Sequence, residues 1–343
     1  MEKVLTIAMA CYNVEAYLEK GLKSLADPRL EEGLEVLIIS DGSTDRTEEL
    51  AERYTEKYPK IFRLIKKPNG GHGSVINVAI REASGIYFRM LDGDDWVMTE
   101  PLVALISYLK RPHGDIVCDY KAEVHMISGK KTIIPLPAFD RQKVPTMSPG
   151  VYPFEEICAL PEVSSYFMIH NFQVRTQLLK DHQVQVCEHV FYEDSEYVLK
   201  ATAYAKTVSF VDLEIYQYLV GNVNQSVSTA NFVKRYSHFD QVTKQMLAFQ
   251  KQFMEYESND MVKYYVLMRA RNVVLTQLYI ALIYDEDRKR GKERAKVFFQ
   301  FLKNEYPDMA KLVAGRYRLD CVLHGLGFNY EKFQKLRHLA GKK

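Results

Sequence analysis

Residues 87–96 read Tyr-Phe-Arg-Met-Leu-Asp-Gly-Asp-Asp-Trp, or YFRMLDGDDW. An apolar strand runs straight into three carboxylates, Asp92, Asp94 and Asp95. Crowded carboxylates repel one another and lose hydration, so packing alone does not account for a buried strand that ends in acids. A divalent cation resolves the conflict, because hard cations take carboxylate oxygens. The alternative is an Asp-Gly turn with its acids in solvent. The strand in front and the polar loops upstream favour the cation.

Those upstream loops belong to a repeating pattern. Val4–Ala10 and Glu35–Ser40 are apolar runs bounded by turn signals, as buried parallel strands are. Ile61–Ile65 predicts a third strand and Tyr87–Leu91 a fourth. Between them lie helical stripes: Leu18, Leu22 and Leu25; then Leu50, Tyr54 and Tyr58; then Ile76, Ala79, Ile80 and Ala83. Asn13 is placed to cap the first of these helices, and Asp45 with Glu48 resembles a capping box for the second. Strands alternating with helices through short loops predict an α/β fold, a doubly wound and mostly parallel sheet with helices on both faces. Ligands of such sheets bind outside the carboxyl ends of the strands. CYN (11–13), SDGSTD (40–45) and DGDD (92–95) all fall on that rim.

After Trp96 the pattern loosens. Helix is expected over Pro101–Leu109 and strand over Asp115–Tyr120, Tyr166–His170, Val208–Val211 and Ile215–Leu219. Val190–Tyr204 is expected to begin as strand and turn helical. Helices follow at roughly 232–256, 260–284, 292–305 and 330–340. A boundary near 230 is expected, dividing a catalytic domain, 1–230, from a helical region, 231–343. Charge changes sign there. Residues 1–230 hold 24 Lys and Arg against 32 Asp and Glu; residues 231–343 hold 22 against 12, a balance of +10. A basic region of this kind faces an anionic membrane or a phosphorylated carrier, or is a solvated helical face. The N-terminus carries no signal-peptide pattern. The most apolar late stretch, Val262–Tyr284, contains Lys263, Arg269 and Arg271, which argues against a membrane span. Five scattered cysteines without a CxxC pair fit a reducing compartment and argue against a zinc site.

Each rim loop suggests chemistry. Asp41, at a strand end among small residues, can accept the imide N–H of a uracil base, which cytosine lacks. Asp45 is explained as a helix cap. Tyr12 either offers an aromatic face to a base or is a half-buried strand-end tyrosine. In NGGHGS (69–74) the glycines, Gly71 among them, let the backbone approach a ligand before a helix N-terminus, which favours an anion. His72 there can reach a phosphate or a sugar hydroxyl. In FYEDSEY (191–197), Glu193, Asp194 and Glu196 are either helix-start acids or include a general base facing an acceptor hydroxyl. His170 and His189 are spare candidates for ligand or acceptor contacts. GxSxG, HExxH and Walker A patterns are absent.

Taken in order, these motifs resemble the family 2 glycosyltransferases, which have the nucleotide-sugar-binding GT-A fold. IAMACYN (7–13) is similar to the family's first strand and Tyr-Asn turn, and ISDGSTD (39–45) to its Asp-Asp-Gly-Ser-Thr-Asp. MLDGDDW (90–96) resembles the metal-binding DxD loop, FYEDSEY the segment carrying the base, and YLVGNVNQSVS (218–228) the Gln-Ser loop over the diphosphate. NGGHGSVIN and IHNFQVRTQLL resemble the bacterial capsule, exopolysaccharide and cell-wall glycan branch. The resemblance covers about residues 4–228. It implies a UDP-sugar donor bound by Ala10, Tyr12, Asp41, Gly71, His72, Asp92, Gly93, Asp95, Gln225 and Ser226. It further implies Mn²⁺ or Mg²⁺ on Asp94 and Asp92, and Asp194 as the base. The sequence departs from the pattern at Ser40, at Ile76 where an arginine is common, and in Gly221–Ser228, which has no Arg or Lys.

The implied reaction is metal-dependent inverting transfer from the UDP-sugar to a hydroxyl of a glycan, lipid-linked or protein-linked acceptor, in surface polysaccharide or glycoconjugate synthesis. The expected location is cytoplasmic, peripheral on the inner membrane face through the basic C-terminal helices; no nucleic-acid partner is expected. Two other readings are a non-catalytic nucleotide-sugar-binding protein and a sugar nucleotidylyltransferase. The latter wants a Gly-rich loop with Arg and Lys after the first strand, which CYNVEAY lacks.

Overall fold

The computed structural model describes residues 3–111, 113–136, 150–221 and 228–332. Its first half follows from the apolar runs. β1 (Leu5–Cys11), β2 (Leu34–Asp41), β3 (Phe62–Lys67) and β4 (Tyr87–Asp92) pair in parallel in the order β3-β2-β1-β4. The connecting helices are α1 (Leu18–Leu25), α2 (Thr47–Lys57) and α3 (His72–Glu82). Leu18, Leu22 and Leu25 of α1 are fully buried, as their spacing requires. The chain winds outward from β1 to β3, then returns to lay β4 on the other side of β1. That reversal is a topological switch point, and it opens a crevice at the strand ends.

Antiparallel strands extend the sheet beyond β4. After β5 (Trp96–Val97) and α4 (Thr99–Leu109) come β6 (Ile116–His125), β7 (Lys131–Ile134) and β8 (Val151–Pro153). The short helices α5 (Phe154–Cys158) and α6 (Pro161–Ser164) lead to β9 (Phe172–Arg175), α7 (Thr176–Asp181), α8 (Asp194–Ala203) and β10 (Thr207–Val220). The full order is β3-β2-β1-β4-β9-β6-β10-β5, with β7 on β6 and β8 on β10. β9 lies antiparallel between β4 and β6, while β10 is parallel to β6.

Several expectations change. Val208–Val211 and Ile215–Leu219 are one strand, β10, whose register slips around Glu214; a bulge in the polar stretch Asp212–Glu214 had read as a break. Tyr166–His170 is a turn, because the Asn171 side chain receives the Met168 N–H (2.9 Å) and donates to the Tyr166 carbonyl (2.7 Å), and the strand starts at Phe172. Val190–Tyr192 is no strand: His189 (φ 58°) and Tyr192 (φ 76°) are left-handed and break it. The Asp45 carboxylate accepts the Thr47 N–H (3.0 Å) at the start of α2, as a cap does, but Glu48 does not complete a capping box and Asn13 does not cap α1. The Asn13 side chain receives the Thr44 N–H (2.8 Å), and Glu48 accepts from the Ser40 hydroxyl (2.7 Å).

The chain packs as two compact units, 1–223 with 259–265, and 224–258 with 266–343. α9 (Thr229–Lys234), α10 (Tyr236–Tyr256) and α12 (Arg288–Glu305) lie in the second unit, and α11 (Asp260–Tyr279, continued by a π turn to Tyr284) starts in the first and enters the second after residue 265; they follow the expected helices. α13 (Pro307–Gly325) was not foreseen, since its apolar residues lie on more than one face. Residues 333–340 of the last expected helix lie outside the described residues. Among the described residues, one helix, Asp260–Tyr284, is long and apolar enough to cross a membrane, and 56% of its most apolar window is buried inside the fold.

Candidate active site

The crevice beside β1 holds a cavity of about 340 Å³. Ala10, Tyr12, Asp41, Gly71 and His72 line it, together with His189 and Phe191. Tyr12 is 52% exposed, so its ring is open to a ligand. Asp41 is buried and organises the glycine loop. One carboxylate oxygen receives the Gly70 N–H (2.9 Å) and pairs with Lys67; the other receives the Gly71 N–H (2.8 Å). Gly71 takes φ +82°, a left-handed turn that glycine allows, and it delivers the chain into α3 at His72. The opposite wall is the 187–193 segment, held by a His189 N–H to Gly70 carbonyl bond of 2.6 Å.

His72 links the cavity to the acids. Its Nδ1 lies 2.7 Å from Glu193 Oε1, and its Nε2 lies 3.3 Å from Asp92 Oδ1, off the line of a hydrogen bond. Burial disfavours an imidazolium here, but the two carboxylates outweigh it and raise the pKa well above the usual value. Asp92 also has His170 Nε2 at 3.6 Å from Oδ2. Burial opposes its ionisation, yet the two imidazoles hold its carboxyl far below the ordinary range.

The three acids of the turn differ. Asp95 is buried; it accepts from the Tyr216 hydroxyl (2.6 Å) and the Leu219 N–H (2.7 Å), tying β10 to the turn. Asp94 is half-buried, and its carboxyl is pushed up to about 6 by burial and by Asp92. Gly93 donates its N–H to the Ala10 carbonyl (2.9 Å), locking the turn against β1. Ligand atoms of Asp92, Asp95 and His170 lie within 4.8 Å of one another, close enough for a cation. The Nδ1 of His170 is buried without a partner. An oxygen-rich set with one imidazole suits Mn²⁺ or Mg²⁺.

The tertiary fold recruits His170 through a buried polar row. Arg89 of β4 pairs with Asp119 of β6, receives support from Gln173 of β9 (3.0 Å), and donates to the His170 carbonyl (2.6 Å). Tyr216 and Tyr218 hold the imidazole ring, each at 4.9 Å between centroids.

Asp194 begins α8 beside Glu193. Its side chain is solvent-accessible; the Ser195 backbone N–H faces the carboxylate, and no other side chain among the described residues hydrogen-bonds it. Crowding by protein atoms, then the Glu193 charge, raises its pKa. Glu193 is itself buried and committed to His72. Glu196 is structural, accepting from Cys187 N–H (2.9 Å) and Lys200 (2.7 Å). Gln225 and Ser226 lie outside the described residues. Nothing in the one-dimensional pattern marked Glu193 as the partner of His72, or Tyr216 as the partner of Asp95; 121 residues separate each pair.

Comparison with known proteins agrees with this layout. The family model described as "Glycosyl transferase family 2" matches residues 6–150. The chain is 30% identical over 222 residues to the uncharacterized glycosyltransferase EpsJ of Bacillus subtilis (strain 168), covering 64% of this chain and 61% of EpsJ. It is 26% identical over 230 residues to the poly(ribitol-phosphate) beta-N-acetylglucosaminyltransferase TarS of Staphylococcus aureus (strain Mu50), covering 66% of this chain and 37% of TarS. The chain therefore spans less than two thirds of these relatives. In three dimensions it resembles S. aureus TarS 1–349 in complex with UDP, with TM-score 0.61, 18% identity and coverage of 95% of this chain and 93% of that one. It also resembles the mannosyltransferase PcManGT of Pyrobaculum calidifontis in complex with GDP-Man and Mn²⁺, with TM-score 0.52, 15% identity and coverage of 95% and 85%. A match that starts inside β1 and runs past the glycine loop and the acidic turn takes in most of the cavity wall; over that stretch the chain is similar to glycosyltransferase family 2, and its fold is the GT-A fold of the TarS structures.

Proposed function

We propose that this protein is a metal-dependent inverting glycosyltransferase. It moves a sugar from a UDP-sugar to a hydroxyl of a glycan, lipid-linked or protein-linked acceptor, in surface polysaccharide or glycoconjugate synthesis. The observation that carries the reading is Asp194, an accessible carboxylate of raised pKa with no side-chain partner, in the electrostatic reach of the His72 and His170 imidazoles that flank Asp92. Tyr12 and Asp41 face the base from the cavity wall. Asp92, Asp95 and His170 would hold Mn²⁺ or Mg²⁺, and Asp94, the ligand expected from the sequence, stands outside that cluster. Such an ion, when bound, offsets the charge that develops on the departing diphosphate.

The chain's own groups do the rest. Asp194 takes the proton from the acceptor hydroxyl as that oxygen bonds to the anomeric carbon. The bond from the anomeric carbon to the diphosphate oxygen breaks on the opposite face, and its electron pair leaves with UDP. His72, kept cationic between Glu193 and Asp92, adds positive charge on the leaving-group side, where Ile76 supplies none.

The reading extends to location. The outer face of α13 exposes Leu312, Leu319, Val322 and Leu326 alongside Lys311, Arg316 and Arg318. Apolar and basic side chains on one helix face suit an anionic lipid surface, which supports peripheral attachment at the inner membrane face.

The test is a thermal-shift panel of UDP-, GDP- and dTDP-sugars with and without Mn²⁺, followed by transfer and donor-hydrolysis assays on Asp194→Asn. UDP species should stabilise the protein, more so with Mn²⁺. The variant should lose about 10²–10⁴-fold in rate while keeping its donor affinity. Full activity in the variant removes Asp194 from its role, and a panel with no UDP response removes the donor.

A further inference from the structure

One cation of the site has no use in the scheme above. Lys121 lies on β6, in register with Tyr216 of β10, on the same face of the sheet as Asp119 and the buried Arg89 row. Its side chain is more than nine-tenths buried. The nearest carboxylate, Glu123, is 4.0 Å away, beyond hydrogen-bond distance, and the Tyr218 ring lies 4.5 Å below the ammonium. Among the described residues no acceptor receives a hydrogen bond from its Nζ. The stem is buried while the ammonium tip is not among the fully enclosed atoms, so the tip stays open to a ligand at a largely buried site. Arg89, two strands away across β9, has both terminal guanidinium nitrogens bonded, to Asp119, Gln173 and the His170 carbonyl, in contrast with Lys121.

What Lys121 does face is the acidic turn. Asp95 and Asp92 act on it electrostatically, after Glu123. Tyr218, beneath the ammonium, feels the charges of Asp92, Asp95, Asp94 and Asp194. The lysine thus shares the Tyr218 ring with His170 of the candidate cation site, at 4.5 Å from the ammonium and 4.9 Å between ring centroids. The loop at 221–228, which follows β10 directly, has no Lys or Arg.

We propose that Lys121 is an anion anchor: its ammonium takes a phosphate oxygen of a ligand seated over the acidic turn. Donor and acceptor can each bring that chemistry, as the diphosphate of a nucleotide-sugar or as a phosphate of the acceptor. The first arm rests on the donor reading above; the second does not. The Tyr218 face and the neighbouring carboxylates hold the ammonium in place between binding events. A phosphate then completes its hydrogen bonds, and a charge-assisted bond of this kind is worth tenfold to a hundredfold in affinity.

Calorimetric titrations of the full chain decide the matter, with Mn²⁺ alone, UDP, uridine and sn-glycerol 3-phosphate as probes, on the wild type, Lys121→Met and Lys121→Arg. Lys121→Met should weaken UDP, sn-glycerol 3-phosphate or both by about tenfold or more, leaving uridine and Mn²⁺ alone no weaker; Lys121→Arg should recover most of the loss. A loss confined to UDP places the anion on the donor, and a loss confined to glycerol phosphate places it on the acceptor. Phosphate affinities within about twofold of wild type in a folded Lys121→Met overturn the proposal, as does an equal loss for uridine. If Lys121→Met does not fold, Lys121→Gln replaces it under the same criterion. A wild type that binds no UDP with Mn²⁺ sinks the donor reading instead, and Lys121 then stands or falls on the glycerol phosphate arm.

Discussion

Asp194 and Glu193 are adjacent acids with opposite fates. Glu193 turns inward and is buried on His72; Asp194 stays exposed and keeps its carboxylate free of side-chain partners among the described residues. Desolvation by the surrounding protein atoms raises the Asp194 pKa although its side chain stays accessible, and the Glu193 charge adds to the rise. A general base works only when deprotonated, so activity should fall as pH drops through a value above the ordinary aspartate range of about 3.9. Replacing Glu193 with Gln removes a negative neighbour and should move that acid limb of kcat/KM to lower pH. A limb that does not move belongs to another group. The Glu-Asp pair was visible in the sequence, as was the crowding of Asp92, Asp94 and Asp95. Which member of each set is committed to packing was not, because Tyr216, Leu219 and His72 reach these acids only through the fold.

At the scale of elements, the glycine loop and the 187–193 segment work as one clasp. Asp41 fixes the loop through the Gly70 and Gly71 N–H groups, and the His189 N–H ties the segment to Gly70. Gly73 sits where they meet: a Cβ there would overlap the Cys187 carbonyl. Gly73→Ala should therefore cost about 1–3 kcal/mol of stability, read as a lower urea midpoint at unchanged slope. The same displacement should weaken nucleotide binding, since His189 and Phe191 line the cavity. An unchanged midpoint means the clasp yields freely. The sequence marked this loop as a glycine turn before a helix, which is a local property. Its partner segment read as a strand, because apolar Val190 and Phe191 say nothing of the left-handed residues on either side.

Over the whole molecule, the most evident asymmetry is charge. Residues 231–343 carry a balance of +10, and α13 sets apolar and basic side chains on one exposed face. The chain should sediment with vesicles containing about 30% anionic lipid at low salt and be released near 0.5 M salt, where screening reaches within a few ångströms. Leu319→Glu should weaken that binding; indifference of binding to both salt and this variant would retire the membrane reading. The sequence by itself determined the parallel half of the sheet, since continuous apolar runs and 3.6-residue stripes are local signals that need no partner to be read. It also determined that three polar loops share the rim of that sheet, because strand direction follows from the alternation. Only the tertiary structure decided how the site is completed. β9 enters antiparallel beside β4 and brings the Arg89, Asp119 and Gln173 row together, which sets His170 against Asp92. β10 then returns to place Tyr216 on Asp95, and β6 carries Lys121 to the same wall. Each of those contacts joins residues far apart in the chain, and neither the periodicity nor the spacing of a single sequence records who meets whom.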